Sequence, residues 1–535
     1  MSAAAKPMRA VLTGRCAAPG LAAGRVVRPG GPRRARRVGD PTTEAAALRA
    51  ALQGARLDLV ALQGRLEAGE AADIIGFQIA LLDDEALAAP AMEAIARGEP
   101  ADEAWRAAMD AEAEGYEAAG DDYLAARAGD LRDLRDRVLD ALAGEASTRL
   151  PPGAIFAGED VAPSLLLTND LSGGAILLSR GSVASHAAML ARARGIPMVV
   201  GMGALPSAGA EVLVNAATGR VIEAPYDTDR RLHAERARLQ EEQDAADALA
   251  RFRPARTLDG VRIEILLNVT GPTELEGLDP SICDGIGLVR TELLFEGRSL
   301  PDEERQFALY ARIVRWAAGR PVTFRVLDAG GDKPIAGLTL EGESNPFLGV
   351  RGVRLLLRHP EVFETQLAAL CRAAALGPVE VMIPMVATPA EMEASERRLD
   401  AALAGLAARG VAHARPPLGM MVEVPSAALL PERFPAAFYS IGSNDLSQYV
   451  LAAGRDVVEL ADLARADDPA MLHLVERVVA AGARLGRKVS LCGDAGGDPA
   501  VVPALLRAGL RRLSMPPALV GRAKAVIAGL KAGGG

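Results

Sequence analysis

Two carboxylates and a set of guanidiniums are spaced through the second half of this 535-residue chain in a way that suits one small anionic ligand. Glu423 and Asp445 are the kind of pair that holds a hard cation such as Mg²⁺, which takes one or two carboxylates and completes its shell with water and substrate oxygens. Arg290, Arg325 and Arg351 supply forked donors matched to carboxylate and phosphate oxygens. Arg455 lies ten residues beyond Asp445, Asn444 adds an amide, and Lys333 closes the Gly- and Asp-rich segment 328–333. Such a set fits a substrate that carries both a phosphate and a carboxylate. Cys492, next to Gly493, is either a proton donor or a small buried hydrophobe.

A second chemistry is written in the first half. Gly181-Ser182-Val183-Ala184-Ser185-His186 runs into the apolar stretch Ala187-Ala188-Met189-Leu190-Ala191. Ser185 is a natural N-cap, which leaves His186 in the first helical turn. A phosphate on that imidazole would meet free backbone N–H groups and the positive end of the helix dipole. An imidazole nitrogen attacks phosphorus at neutral pH, so a covalent phosphoryl carrier is the chemistry implied.

These groups need a scaffold, and the apolar pattern supplies one. Strand-like runs at 261–269, 285–292, 321–328, 380–386, 418–425, 438–445, 488–494 and 511–516 alternate with amphipathic helical stretches. Eight strands in this alternation predict a (β/α)8 TIM-type barrel over 255–535, with a doubly wound open sheet as the competing arrangement. Active sites of that barrel lie at the carboxyl ends of the strands. Arg290, Arg325 with the segment after it, Glu423, Asn444-Asp445 and Cys492 all fall there. Ahead of the barrel, short strands in 1–40 and 143–227 predict one α/β domain, and a helical bundle of about four helices is inserted at 41–142. Residues 228–254, rich in Arg, Glu and Ala, predict a linker helix.

Composition narrows the function classes. A net charge of −9 and an aromatic content of 3% argue against nucleic-acid binding and base stacking. No apolar run is long enough to span a bilayer without a charge. The four cysteines are scattered, and the amino terminus lacks the apolar core of a secretory signal. A cytoplasmic multidomain protein is the expectation. The cluster of four arginines at 33–37 is read as a solvated loop.

With the motifs in hand, a resemblance emerges. Residues 181–201 resemble the phosphohistidine motif of phosphoenolpyruvate-utilising enzymes. Segments 285–295, 324–333, 345–354, 419–426, 438–452 and 491–498, with 14–27 at the start, are similar to consecutive blocks of the phosphoenolpyruvate–protein phosphotransferases, enzyme I of the sugar phosphotransferase system. The resemblance implies a swivelling phosphohistidine domain with an inserted helical bundle, followed by the barrel. It implies that Mg²⁺, held by Glu423 and Asp445, and phosphoenolpyruvate bind at the barrel mouth, where Arg290, Arg325, Asn444 and Arg455 grip the substrate. His186 would take the phosphoryl group, Cys492 would protonate the enolate to give pyruvate, and the phosphate would pass to HPr or an HPr-like carrier docked on the bundle. A homodimer formed through the barrels is also implied.

Several positions depart from the family pattern. Val183-Ala184 stand where Arg-Thr is usual, Gln78 where the carrier-binding helices usually have a histidine, Asn215 for an aspartate, and Asp494 for a glutamate. They leave open whether the carrier serves sugar uptake, nitrogen-related regulation or dihydroxyacetone phosphorylation. A slow regulatory phosphoprotein remains an alternative. So do a phosphoenolpyruvate synthase or pyruvate phosphate dikinase, which would need a nucleotide domain for which the chain has no length to spare. A Mg²⁺-dependent lyase of pyruvate-like acids is the last, and it would leave His186 without a role.

Overall fold

The computed structural model describes the chain apart from residues 1–8, 29–37, 65–69, 119–121, 145–149, 184, 296–299, 332–334, 336, 341, 455–456, 458–459, 461–462, 464 and 533–535. It divides into two compact units, 1–240 and 241–535. The arginine cluster at 33–37, Ala184, Lys333 and Arg455 lie outside the described residues, as does the side chain of His186.

In the first unit, three strands precede the bundle and five follow it. They are β1 (Ala10–Thr13), β2 (Arg15–Ala18), β3 (Leu21–Val27), β4 (Ile155–Gly158), β5 (Ala175–Leu178), β6 (Met198–Val200), β7 (Glu211–Asn215) and β8 (Arg220–Glu223). They form one sheet in the order β1-β8-β7-β3-β4-β5-β6-β2. β3 runs antiparallel to β7, pairing Leu21 with Asn215, and parallel to β4, pairing Val26 with Ile155. The early strands therefore complete the sheet built by the later ones. β5 is buried along its whole length, as expected of an apolar strand at the sheet's interior.

Between β3 and β4 stand α1 (Pro41–Gln63), α2 (Glu70–Leu82), α3 (Glu85–Ala96), α4 (Ala101–Ala118) and α5 (Asp122–Ala143). Among the described residues there are five helices where the periodicity suggested about four. The extra boundary falls between α2 and α3, where Asp84 caps α3 by accepting from the Ala86 N–H at 2.9 Å. A two-residue link without Gly or Pro leaves the apolar rhythm almost unbroken, so pattern alone merges the two helices. Leu48, Leu59, Ile75, Trp105, Leu131 and Val138 form the dry centre of the bundle. Asp133 of α5 ties it to α6 (Pro163–Thr168), accepting from Ser164 Oγ at 2.7 Å and the Ser164 N–H at 3.1 Å. Gln78 Nε2 donates to the same carboxylate at 3.1 Å, so Gln78 is a buried bundle residue rather than a surface group. Burial pushes the Asp133 carboxyl above its ordinary range.

After α7 (His186–Ala193), α8 (Asp227–Arg251) is a single helix of 25 residues with none of them buried. Its polar sequence, free of Gly and Pro, has no apolar stripe to dock.

The second unit is the barrel. β9 (Glu264–Val269), β10 (Gly285–Val289), β11 (Val322–Arg325), β12 (Val379–Ile383), β13 (Leu418–Val422), β14 (Tyr439–Ile441), β15 (Val489–Leu491) and β16 (Arg512–Met515) pair in sequence order, all parallel, and β16 closes on β9. All eight expected strands are present and the open sheet is excluded. Closure removes both sheet edges, and the outer helices, such as Pro360–Ala374 and Pro389–Ala408, cover the outer face with Phe363, Leu367, Leu370, Met392 and Leu399. No described helix is long and apolar enough to cross a membrane.

Candidate functional site

The carboxyl ends of β10, β11, β13, β14 and β15 gather the groups at one mouth of the barrel. Arg325, the last residue of β11, is buried. Its Nη2 donates to Glu292 Oε1 at 2.7 Å and its Nη1 lies 3.1 Å from Asp328 Oδ2. Its Nε is buried with no hydrogen-bond partner among the described residues. A buried donor left unmade costs free energy.

Arg351 is wholly buried. Its Nη2 donates to Asp328 Oδ2 at 3.0 Å and its Nη1 to Asp445 Oδ1 at 3.3 Å. The guanidinium therefore braces one strand-end loop against another. Arg290, just past β10, is partly exposed, and its side chain has no hydrogen bond or ion pair among the described residues. Of the three described arginines it is the most exposed.

Glu423 follows β13 and is buried, with Oε1 accepting the Met385 N–H at 2.6 Å. Met385 adopts φ 58°, a left-handed conformation that costs a non-glycine residue about 1 kcal/mol or more. That turn after β12 aims its peptide N–H at the carboxylate. Burial, then the neighbouring charges of Asp445 and Asp328, push the Glu423 carboxyl up to about 8, against the pull of Arg325 and Arg351. A carboxylate crowded by its neighbours in this way could join a donor set for a cation. Among the described residues no group of three or more His, Cys, Asp or Glu side chains converges on one point. A pair with open positions fits Mg²⁺, which keeps several waters or substrate oxygens, better than a closed transition-metal site.

Cys492 follows β15 and is buried against Leu288, Met382, Met421 and Phe438. Its peptide is fixed on both sides. The N–H donates to Ile441 O at 3.0 Å, and the carbonyl accepts from Asn268 Nδ2 at 3.0 Å. Burial, with the charge of Glu423, pushes the thiol up to about 11 despite a hydrogen bond from Ser440 and the nearby Arg325 and Arg290. It stays protonated at neutral pH, the state a proton donor requires.

Asn444 stands in the first turn of helix Ser443–Leu451, next to Asp445. Thus Arg290, Arg325, Arg351, Glu423, Asn444, Asp445 and Cys492 come together, in two roles: some face the mouth and Arg351 stands behind it. Asp328 and Glu292, which link the arginines, were visible only as strand-end polar residues without an assigned task. Gln366 was missed altogether. It is buried, its Oε1 accepting the Leu327 N–H at 2.9 Å and its Nε2 donating to Thr291 Oγ1 and Tyr310 OH, each at 3.1 Å. The available signal was a lone amide within the apolar stripe Val362, Phe363, Leu367, Leu370.

In the first unit, α7 begins at His186, with Ser185 as N-cap, its Oγ accepting the Ala188 N–H at 3.2 Å. Arg192 Nη1 donates to Val183 O at 2.9 Å and to Ala17 O at 2.7 Å, pinning the loop before the helix to β2. Asn215 closes its turn by accepting the Thr218 N–H at 3.2 Å.

Three family models match the chain. Residues 244–532 match the family of PEP-utilising enzyme, PEP-binding domains, residues 150–219 the mobile domain and residues 13–127 the N-terminal domain of the same enzymes. The chain is 37% identical over 477 residues to a phosphoenolpyruvate-protein phosphotransferase of Haloferax volcanii, an alignment covering 86% of this chain and 82% of that one. It is 36% identical over 500 residues to the protein of that name from Geobacillus stearothermophilus, covering 90% and 86%. A multiphosphoryl transfer protein of Xanthomonas campestris is 37% identical over 501 residues, and there the match spans 58% of the relative's length.

Proposed function

This chain belongs to the phosphoenolpyruvate–protein phosphotransferase family and is a phosphoenolpyruvate-utilising phosphotransfer enzyme, and from that premise we propose the following division of labour. Arg290, the free Nε of Arg325 and Asn444 bind the phosphate and carboxylate of phosphoenolpyruvate at the barrel mouth, with Lys333 and Arg455 completing the grip. Glu423 and Asp445 would hold Mg²⁺, whose chemistry there would be to neutralise charge on the transferred phosphoryl group. Arg351 and Asp328 keep these carboxylates in place. An unprotonated nitrogen of the His186 imidazole attacks phosphorus. The N–P bond forms as the bridging P–O bond breaks, leaving the enolate of pyruvate. Cys492 gives its thiol proton to the enolate carbon, so pyruvate departs and the thiolate recovers a proton from solvent. The phosphoryl group then moves from His186 to a histidine of HPr or an HPr-like carrier docked on the helical bundle, and the barrels pair two copies of the enzyme.

The observation that carries this reading is the convergence of a buried Glu423 crowded by Asp445 and Asp328, an unmade buried guanidinium donor and a neutral thiol at one barrel mouth. Positioning and charge neutralisation of that kind are what phosphoryl transfer needs from a protein. The test is incubation with ³²P-labelled phosphoenolpyruvate with and without Mg²⁺, and mapping of the label. An acid-labile phosphate on His186, requiring Mg²⁺ and missing from His186→Ala, is expected. A Mg²⁺-loaded, folded protein that takes no label would refute the transfer, and turnover that survives His186→Ala would favour a lyase.

A further inference from the structure

We infer that Asp494 is a positioning residue that orients the Asn444 amide for the ligand, an inference that rests on the substrate role proposed for Asn444. The two residues come from neighbouring parallel strands, β14 and β15, which pair from Tyr439 with Val489 to Ile441 with Leu491. The Cys492 N–H carries the ladder one step further, to Ile441 O. Beyond it the chain can approach the next strand's loop only because residue 493 has no side chain. A Cβ on Gly493 would fall 1.8 Å from Ser443 Oγ and 2.9 Å from the Ser443 backbone nitrogen.

That close approach sets up a reciprocal clamp. The Asp494 N–H donates to Asn444 Oδ1 at 3.2 Å, and Asn444 Nδ2 donates to Asp494 Oδ2 at 2.9 Å. A backbone N–H can only donate and a carboxylate can only accept, so the pair admits one orientation of the amide. A flipped amide would set NH₂ against N–H and oxygen against oxygen. Held as it is, the amide leaves its second N–H for a ligand oxygen. Asp494 is itself exposed. By charge alone, an exposed carboxylate at this mouth would repel an anionic substrate. Repulsion and orientation therefore predict opposite effects of removing it.

Asp494→Ala deletes the acceptor, whereas Asp494→Asn keeps an oxygen in the same place. Full-length, Mg²⁺-loaded protein would be titrated with phosphoenolpyruvate by calorimetry, and single-turnover labelling of His186 followed against substrate concentration. One lost hydrogen bond predicts that Ala raises both Kd and the half-saturating concentration by about 3- to 10-fold, with the maximal rate within about twofold, and that Asn stays within about twofold of the parent. The melting temperature should not move, since the pair is exposed. Equal or tighter binding by the Ala variant would overturn the clamp. So would an Asn variant as weak as Ala, or losses that follow a falling melting temperature. If the parent binds phosphoenolpyruvate but does not label His186, the transfer reading fails while the clamp is still decided by Kd. A parent that does not bind it refutes both.

Discussion

The barrel mouth and the head of α7 solve opposite problems with opposite materials. At the mouth, charged side chains from several strand ends are buried and braced against one another, Arg351 reaching both Asp328 and Asp445. At α7 the support is local and comes from short side-chain contacts to the backbone: the Ser185 N-cap, the loop pinned by Arg192 and the first turn of an eight-residue helix. A site that holds a cation and a small anion has to be rigid and charged in advance. A helix terminus offers weaker, generic anion stabilisation, which suits a phosphoryl group that must be given up again. Substitutions should therefore act through electrostatics and folding in the barrel and through local geometry at α7.

The largest effect is expected at Glu423. Glu423→Gln keeps the shape but removes one of two candidate metal carboxylates, so Mg²⁺-dependent labelling of His186 should fall more than about 100-fold. Stability should move the other way. In metal-free protein the carboxyl sits near 8 against an ordinary 4.5, so between those values the folded state binds more protons than the unfolded one. Its contribution is present in acid and is lost as pH rises toward 8. Urea midpoints across that window should fall with pH in the parent and flatten in Glu423→Gln. An unchanged slope would remove the case for a strained carboxylate pair.

Asp328→Ala should come next. It takes one carboxylate from each of two buried guanidiniums, leaving Arg325 with Glu292 and Arg351 with Asp445, and breaking a buried pair from one side costs up to about 3–5 kcal/mol, visible as a lower urea midpoint at unchanged m. A loss below about 1 kcal/mol would mean that the arginines find other partners, and the idea of a braced mouth would go. The smallest effect belongs to Ser185→Ala. Loss of an N-cap costs about 1 kcal/mol, read by hydrogen exchange at α7, and His186 labelling should slow without a change in the phosphoenolpyruvate Kd. A shift in that Kd would contradict the assignment of separate tasks to the two regions.

The two regions also differed in how much of them the sequence disclosed. Barrel strands such as Leu418–Val422 are buried on both faces and read as unbroken apolar runs, so each polar residue that ends one stands out. Residue types at those ends indicated the ligand. Partners were not legible, because nothing local tells whether Arg351 meets a substrate or the carboxylates of Asp328 and Asp445, 23 and 94 positions away. The Met385 turn was hidden for a related reason: its value lies in a backbone N–H, which every residue type except proline carries. Likewise, nothing local in the sequence tells that Gln78 and Asp133 meet within the bundle and that Asp133 reaches Ser164 of α6. Ser185, by contrast, was legible because capping is a contact between near neighbours in sequence.

One plain feature of the chain bears on how its stability should be measured. α8 buries none of its side chains, and each apolar cluster of buried residues draws its members either from before α8 or from after it. Cooperative melting spreads through shared packing. With each unit holding an apolar interior of its own, the heat-capacity trace should resolve into at least two transitions, each with its own midpoint and enthalpy. A ligand held by the barrel alone would then raise one midpoint and leave the other where it was.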